Sequence, residues 1–548
     1  MKFEDLLIDA GGLGRFQLFT FLLLTIPRLT LPLHFLIHNF LAGVPPHRCA
    51  LPTQDVFGNL TEEEQVLISI PRELGGTFSS CKMYREPQVQ LLENSTGGAG
   101  NASGLQSCQH GWVYDHSQFS STIATEWDLV CEQKRLNQAS ATFFFIGVTV
   151  GAILVGYLSD RYGRRTMLLA CYVFTLVFGM AAAASVNYTM LAVFRSLSGV
   201  SLSGLSIITV ALSVEWVDTA NRTKAGILNG LFWSIGNMLL SLLAYLIRDW
   251  RYLLIVVTSP CILGIISIWW LPESARWLLS KGKVKEAHAH LLRCSTMNRK
   301  KHLSSKISTE VLSKIAQEEN TGTNYSFIDL FRTPVMRKIS LCTGVIWFGV
   351  ALAYYGISLN ITGFGLDIYT THFIYGAIEV PAKLSLYIFI TKGGRQCSQA
   401  WSLIITGFSI GINTVIPHSV SQLRTTIAIL GKAFSEASFA CIYLYTAELY
   451  PTVLRQNGIG YNAFSARIAV SVAPLILLLD DVWQPLPQVI YCFVAILCGL
   501  MAFCLPETLN VHLPETVKDV EEQGRTGSMW YKGNPQEDIP LKGEEKTY

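Results

Sequence analysis

Three basic residues stand inside long apolar runs: Lys383, Lys432 and Arg467. An ionisable side chain at mid-bilayer costs about 2.5–3.5 kcal/mol on insertion scales, so such positions are functional candidates. Two of them have acidic neighbours. Glu379 lies four residues before Lys383 and Glu436 four after Lys432, so each pair shares a helix face and can neutralise locally. Arg467 has no acidic residue within a helical turn in sequence, and its planar fork suits a carboxylate or phosphate bidentately. The chemistry such residues offer is capture of an anion. Tyr354 and Tyr355, adjacent in another run, add rings and hydroxyls suited to a drug-sized pocket. Phe232 and Trp233 read better as interhelical packing. Arg28, beside Pro27, and Arg195 lie nearer the ends of their runs and read as snorkelling or structurally paired.

The elements that must position these residues are membrane spans. Half of the 548 residues are apolar, mean hydropathy is +0.36, and only 15% are charged, against roughly 25% in soluble domains. That composition excludes a soluble enzyme as the default reading. The net charge of +3 is strongly segregated along the chain and gives nucleic-acid binding no support. Runs of about 20 apolar residues cross a bilayer core. Twelve are present, near 16–42, 141–158, 168–186, 189–209, 225–247, 251–271, 337–357, 371–391, 401–417, 425–446, 457–479 and 486–505. The first contains His34, His38 and Asn39 and has no small-residue cleavage site, so it reads as a true span and not a signal peptide. The expected fold is an all-α membrane protein of twelve helices.

Lys and Arg set the orientation. Arg161, Arg164 and Arg165 fall between spans 2 and 3, Arg222 and Lys224 between spans 4 and 5, and the segment 272–336 is rich in both. That side is expected to be cytoplasmic, with residues 1–15 and the tail 506–548; Arg248, Arg251 and Arg424 are exceptions. Residues 43–140 then form an extracellular loop. It carries Cys49, Cys81, Cys108 and Cys131, enough for two disulfides in any of three pairings. It also carries three N-glycosylation sequons, at Asn59, Asn94 and Asn101. Asn221 and Asn324 match the sequon on the opposite side, where they should stay bare, and Asn187 and Asn360 sit close to the membrane. The other nine cysteines read as small packing residues.

The chain also repeats itself. Glu215 precedes Arg222 by seven residues after span 4, and Glu448 precedes Arg455 by seven after span 10. Pro272-Glu273 closes span 6 and Pro506-Glu507 closes span 12; the three offsets are 233, 233 and 234 residues. Gly163-Arg164-Arg165 has a fainter echo in Gly394-Arg395-Gln396, offset 231, whose preceding acidic residue is missing and which reads as decayed. Two six-span halves, 16–271 after its long loop and 337–505, joined by the linker 272–336 with a helix near 283–293, imply alternating access about a central site. Asp160, Arg161, Arg164, Glu215, Arg222, Glu273, Glu448, Arg455 and Glu507 gather at one rim, where a salt-bridge network would gate the inward end. Rim pairs are worth only about 0–1 kcal/mol each, yet several together bias a two-state equilibrium.

These motifs carry a resemblance. Gly156-Tyr-Leu-Ser-Asp160-Arg161-Tyr-Gly163-Arg164-Arg165 resembles the loop signature of the major facilitator superfamily. Together with Ser120-Ser-Thr-Ile-Ala-Thr-Glu126-Trp127-Asp128, Pro272-Glu-Ser-Ala-Arg-Trp277, Thr446-Ala-Glu-Leu-Tyr-Pro451 and the start Phe3-Glu-Asp-Leu-Leu, it is similar to the solute carrier 22 family of organic ion transporters. In that family's anion carriers, basic residues in spans 8 and 11 hold substrate, and Lys383 and Arg467 stand in the matching motifs; its cation carriers have Asp where Arg467 stands. Phe35 departs from the Asn of some anion carriers and makes the cavity less polar. The resemblance implies a plasma-membrane, basolateral, polyspecific carrier without ATP hydrolysis, cofactor or metal. It would exchange or facilitate small carboxylates, nucleobases, cyclic GMP, prostaglandin-like lipids and drug anions, with counter-anions as exchange partners. The competing readings are a cation or zwitterion carrier using Glu379 and Glu436, and a non-transporting receptor of the same fold.

Overall fold

The computed structural model describes residues 3–51, 60–73, 77–89, 92, 104–300, 308–320, 326–359, 367–417, 419–451, 453–509, 511, 514 and 516–525. Twelve long helical stretches occur where twelve are expected. Spans 1–6 are Arg15–Leu36, Lys134–Tyr162, Arg164–Ala183, Tyr188–Glu215, Thr219–Leu246 and Trp250–Ser267. Spans 7–12 are Pro334–Leu359, Ile368–Gly393, Arg395–Val415, Ser421–Leu449, Arg455–Ile476 and Leu486–Ala502. Among the described residues, ten of these stretches are long and apolar enough to cross a membrane; span 12 is shorter, and span 9, at 21 residues, is long enough but not among the ten. Helix is the answer lipid imposes, because it satisfies every backbone N–H and C=O inside the segment. Several helices run past the apolar run that announced them. Span 2 extends from 134 to 162 because hydrogen bonding continues after hydropathy falls.

The breaks have local causes. Gly163 ends span 2 at φ +102°, and Gly394 ends span 8 at φ +88°, a region that costs other residues strain. Pro260 divides span 6 into Trp250–Thr258 and Pro260–Ser267. Pro381 remains inside span 8, between Glu379 and Lys383.

The chain divides into two compact units. The first comprises Met1–Gly322, Tyr355–Ala377 and Val470–Pro487; the second comprises Thr323–Tyr354, Ile378–Ala469 and Gln488–Tyr548. The units overlap the two sequence halves without coinciding with them, since ends of spans 7, 8 and 11 pack into the first. There Asn39 donates to the Ser358 carbonyl at 2.8 Å, Ser241 to the Tyr369 carbonyl at 2.5 Å, and Lys134 pairs with Asp480 at 2.7 Å. Spans 2 and 4 lie backbone to backbone: a Cβ on Gly147 would meet the Ser196 carbonyl at 2.0 Å, and one on Gly199 the Phe144 carbonyl at 2.4 Å. Small residues permit that approach.

Between spans 1 and 2 the first unit builds a small stapled module. Strand β1 (His47–Cys49) pairs antiparallel with β4 (Trp112–Tyr114), and β2 (Lys82–Tyr84) with β3 (Leu105–Ser107). Disulfides join Cys49 to Cys108 and Cys81 to Cys131, selecting one of the three pairings left open by the sequence. Val66, Ile70 and Met83 pack against Cys49. Thr61 and Glu64 cap the helix Glu62–Ser69 reciprocally. Asn59, Asn94 and Asn101, like Asn324 and Asn360, lie outside the described residues.

The linker helix expected near 283–293 spans Val284–Met297 and buries Ala287, Leu291 and Cys294. Burial pushes the Cys294 thiol up to about 12, against the lowering effect of a hydrogen bond from Gln17. Asn298, just past this helix, accepts from the Phe16 N–H at 2.9 Å and donates to the Ala10 carbonyl at 2.8 Å, tying the linker to the chain's first helical segments.

Candidate functional site

The basic residues of spans 8 and 10 meet two glutamates inside the second unit. Lys383 Nζ lies 2.9 Å from Glu436 Oε1 and 3.7 Å from Glu379 Oε2; Lys432 Nζ lies 3.1 Å from Glu379 Oε1. Tyr354, at the end of span 7 within this unit, donates its hydroxyl to Glu379 Oε1 at 2.7 Å, and the Lys432 ammonium sits 3.3 Å over its ring. Glu379 and Lys432 are fully buried, and the Lys383 side chain retains 10% exposure.

The pairing differs from the expectation of two same-helix pairs. Glu379–Lys383 does form along span 8, but at the longer distance. The short bonds cross between helices, Lys383 to Glu436 and Lys432 to Glu379. Two charged rungs on facing helices exchange partners because each ammonium then reaches a carboxylate across the interface and still lies near its own neighbour. A buried charge is tolerated only when paired and hydrogen-bonded, and crossing the pairs supplies both. Lys432, a candidate substrate contact, is buried between the Tyr354 ring and Glu379.

The other candidate contacts have these surroundings. Arg467 is half-buried on span 11, and one guanidinium nitrogen donates to the Ala463 carbonyl at 3.1 Å. Tyr355 belongs to the first unit, its ring edge-on to Phe145 at 5.4 Å. Phe35 joins the same aromatic group, 5.6 Å from Phe144 and 5.8 Å from Trp233, so Trp233 packs as expected and Phe35 supplies an apolar wall. Arg28 and Arg195 do not snorkel; they are 4% and 5% exposed. Arg28 donates to the Ser213 hydroxyl and Arg195 lies 4.3 Å from the Phe144 ring centre.

Ion pairs among the rim residues occur within each unit. In the first, Arg164 pairs with Asp160 at 2.8 Å and with Glu215 at 3.3 Å. In the second, Arg395 meets Glu448 through Nε at 3.0 Å and Nη2 at 3.1 Å. Glu273 and Glu507 do something the sequence did not announce. Glu273 accepts from the backbone N–H of Arg164 at 3.0 Å and of Arg165 at 3.1 Å; Glu507 accepts from those of Arg395 at 2.8 Å and Gln396 at 3.1 Å. Each carboxylate caps the helix that starts after Gly163 or Gly394, where the helix dipole favours negative charge. For Glu273, burial raises the carboxyl's proton affinity, and the N–H groups of Ser274, Arg165 and Arg164 oppose that rise.

The second copy is therefore not decayed. Arg395 does the work of Arg164, and the missing acid is replaced by bidentate contact with Glu448. The offset of 231 was the signal that pointed to Arg395. Arg161 stays exposed above the Tyr162 ring, Arg455 opens span 11, and the Arg222 side chain lies outside the described residues.

Comparison with known proteins places this architecture. The family model described as "Sugar (and other) transporter" matches residues 102–519. The chain is 49% identical to solute carrier family 22 member 7 of Sus scrofa over 552 residues, covering 99% of each chain. It is 39% identical to solute carrier family 22 member 6-B of Xenopus laevis, covering 100% of this chain and 99% of the relative. Among solved structures it resembles the inward open xylose transporter XylE of E. coli, with a TM-score of 0.58 at 16% identity, over 91% of this chain and 98% of that one. That likeness speaks to the fold. The chain belongs to the solute carrier 22 family of major facilitator transporters, among its organic anion carriers.

Proposed function

We propose that the chain is a polyspecific carrier of small organic anions at the plasma membrane, working by alternating access as facilitated diffusion or anion exchange. Small carboxylates, nucleobases, cyclic GMP, prostaglandin-like lipids and drug anions are its cargo classes. One observation carries the reading. The mid-span residues of the second unit hold three cations, Lys383, Lys432 and Arg467, against two carboxylates, Glu379 and Glu436. Basic side chains gathered in a low-dielectric region offer the charge that complements an anionic cargo. Lys383 and Arg467 contact the cargo, and Tyr354 and Lys432 hold Glu379 in place behind them.

In this reading the two rim sets are cytoplasmic, as are both termini, and each fixes the junction of two spans during rocking. The disulfide module faces outward and carries glycans at Asn59, Asn94 and Asn101. Delivery is basolateral in polarised cells.

Uptake of labelled cyclic GMP, set against a labelled organic cation, tests the assignment. Arg467→Asp should abolish anion uptake while surface expression persists. Normal anion uptake by that variant sinks the site assignment. Cation uptake in the wild type moves the chain to the cation-carrying reading, and binding without uptake of either makes it a receptor.

A further inference from the structure

We propose that this transporter moves a proton together with its anion, and that Glu436 is the group that carries it. The inference rests on the reading of Lys383 as a cargo contact. The two glutamates of the buried cluster are held unequally. Glu379 receives the Tyr354 hydroxyl at 2.7 Å, the Lys432 ammonium at 3.1 Å and the Lys383 ammonium at 3.7 Å. Glu436 is buried, and among the described residues Lys383, at 2.9 Å, is the single group within hydrogen-bond distance of its carboxylate, with the Lys432 charge acting on it from farther off. The charged and titratable groups around Glu436 come from four helices. Span 8 gives Lys383 and Glu379, and span 10 gives Lys432 and Tyr443. Tyr354 of span 7 reaches it through Glu379, and Arg467 of span 11 through Tyr443.

Glu436 and an anionic cargo therefore compete for one ammonium. While Glu436 is ionised it holds Lys383 and repels the cargo. A proton on its carboxylate removes the competitor: the acid is neutral, Lys383 turns to the cargo, and no buried carboxylate is left charged without a partner. When the cargo leaves, Lys383 returns to Glu436 and the carboxylate releases its proton to the side where the cargo departed. Proton and anion thus favour each other's binding, and the coupling is reciprocal. No bond forms or breaks except O–H at Glu436. Glu379 is not the carrier, because Tyr354 and Lys432 continue to hold it when Lys383 is drawn away.

The test uses the purified full-length protein in liposomes with labelled cyclic GMP. Its phosphodiester stays a monoanion across the pH range, so acidity acts on the protein. Uptake should rise on external acidification, by up to about tenfold per pH unit, the limit for one linked proton. An inward gradient of cyclic GMP at equal pH should acidify the lumen, read by a trapped pH dye. Glu436→Gln should give, at neutral pH, the uptake that the wild type reaches in acid, with neither pH response nor dye signal. Wild-type uptake without lumen acidification overturns the proposal whatever the variant does, and so does a Glu436→Gln protein that keeps the full pH response. Lys383→Met separates the two readings. Unchanged uptake in that variant removes Lys383 from the cargo site and the proposal with it. Lost uptake, beside a wild type that moves no proton, leaves the cargo site standing and the coupling refuted.

Discussion

Arg395 grips Glu448 with two guanidinium nitrogens, at 3.0 and 3.1 Å, while its counterpart Arg164 divides its charge between Asp160 and Glu215. The two copies of one motif reach the same end by different valence. Where the first unit supplies two carboxylates, the second supplies one carboxylate in a fork-to-fork geometry, which is stronger per contact. Both side chains of the Arg395–Glu448 pair are about 15% exposed, so solvent screens the pair only in part. A double-mutant cycle on Arg395→Ala and Glu448→Ala, read by thermal unfolding in detergent, should give a coupling energy of ~1–3 kcal/mol. Arg395→Lys should recover only part of it, because an ammonium cannot span both oxygens. Additive single effects would show that the pair contributes nothing of its own.

The caps at Glu273 and Glu507 predict a graded series. Glutamine keeps an acceptor for the helix N–H groups but loses the charge that the helix dipole favours; alanine loses both. Glu507→Gln should cost about 0.3–1 kcal/mol. Glu507→Ala should cost ~1–2 kcal/mol more, the usual scale of a lost cap. The Glu273 series should run in the same order. Gly394→Ala tests the same contact from the other side, since its Cβ would stand 2.2 Å from Glu507 Oε2 at a φ that alanine resists. Thermal melts that rank glutamine and alanine equally would remove the capping account.

Much of this was legible in the sequence, and the reasons differ from residue to residue. Spans declared themselves because lipid forces uninterrupted apolar helices, and the linker helix at 284–297 declared itself by its periodic Ala287, Leu291 and Cys294. The repeat offsets located Glu448 and Glu507. Sequence did not show that Glu507 bonds backbone and not a cation, because a cap depends on where a distant helix begins. Nor did it show the crossing of Lys383 to Glu436. Spacing along one helix reports same-face neighbours, whereas the partner across an interface depends on the rotation of both helices. Tyr354 and Tyr355 looked like one feature; consecutive residues on a helix point about 100° apart, and they serve different clusters.

The disulfide pairing gives a prediction independent of transport. Proteolysis of the unreduced protein should yield linked peptides containing Cys49 with Cys108 and Cys81 with Cys131, and neither of the other two pairings. Cys49→Ser opens a loop of 59 residues and removes a buried side chain from the cluster of Val66, Ile70 and Met83. Loss of such a link typically costs 2–5 kcal/mol, so the variant should reach the cell surface poorly, read by surface biotinylation. Surface levels equal to the wild type would show that the module folds without this staple.

His290 supplies a pH dependence of stability that can be told apart from proton-coupled transport. It lies on the linker helix, where burial first, then the charges of Arg165 and Arg293, hold its proton affinity below the ordinary imidazole value, with Glu286 opposing. The sign follows directly. The unfolded chain binds a proton at His290 near pH 6.5, and the folded chain binds it only at lower pH, so the unfolded state holds more protons in between. The contribution is complete above pH 6.5 and is lost as pH falls through the depressed folded value. Melting temperature in detergent should therefore drop on acidification below neutrality, and His290→Gln, which cannot charge, should lose less over the same range. The substitution should leave the acid stimulation of cyclic GMP uptake intact, because it touches nothing in the Lys383–Glu436 cluster. If His290→Gln melts with the wild type's full pH sensitivity, the histidine is not the source of it.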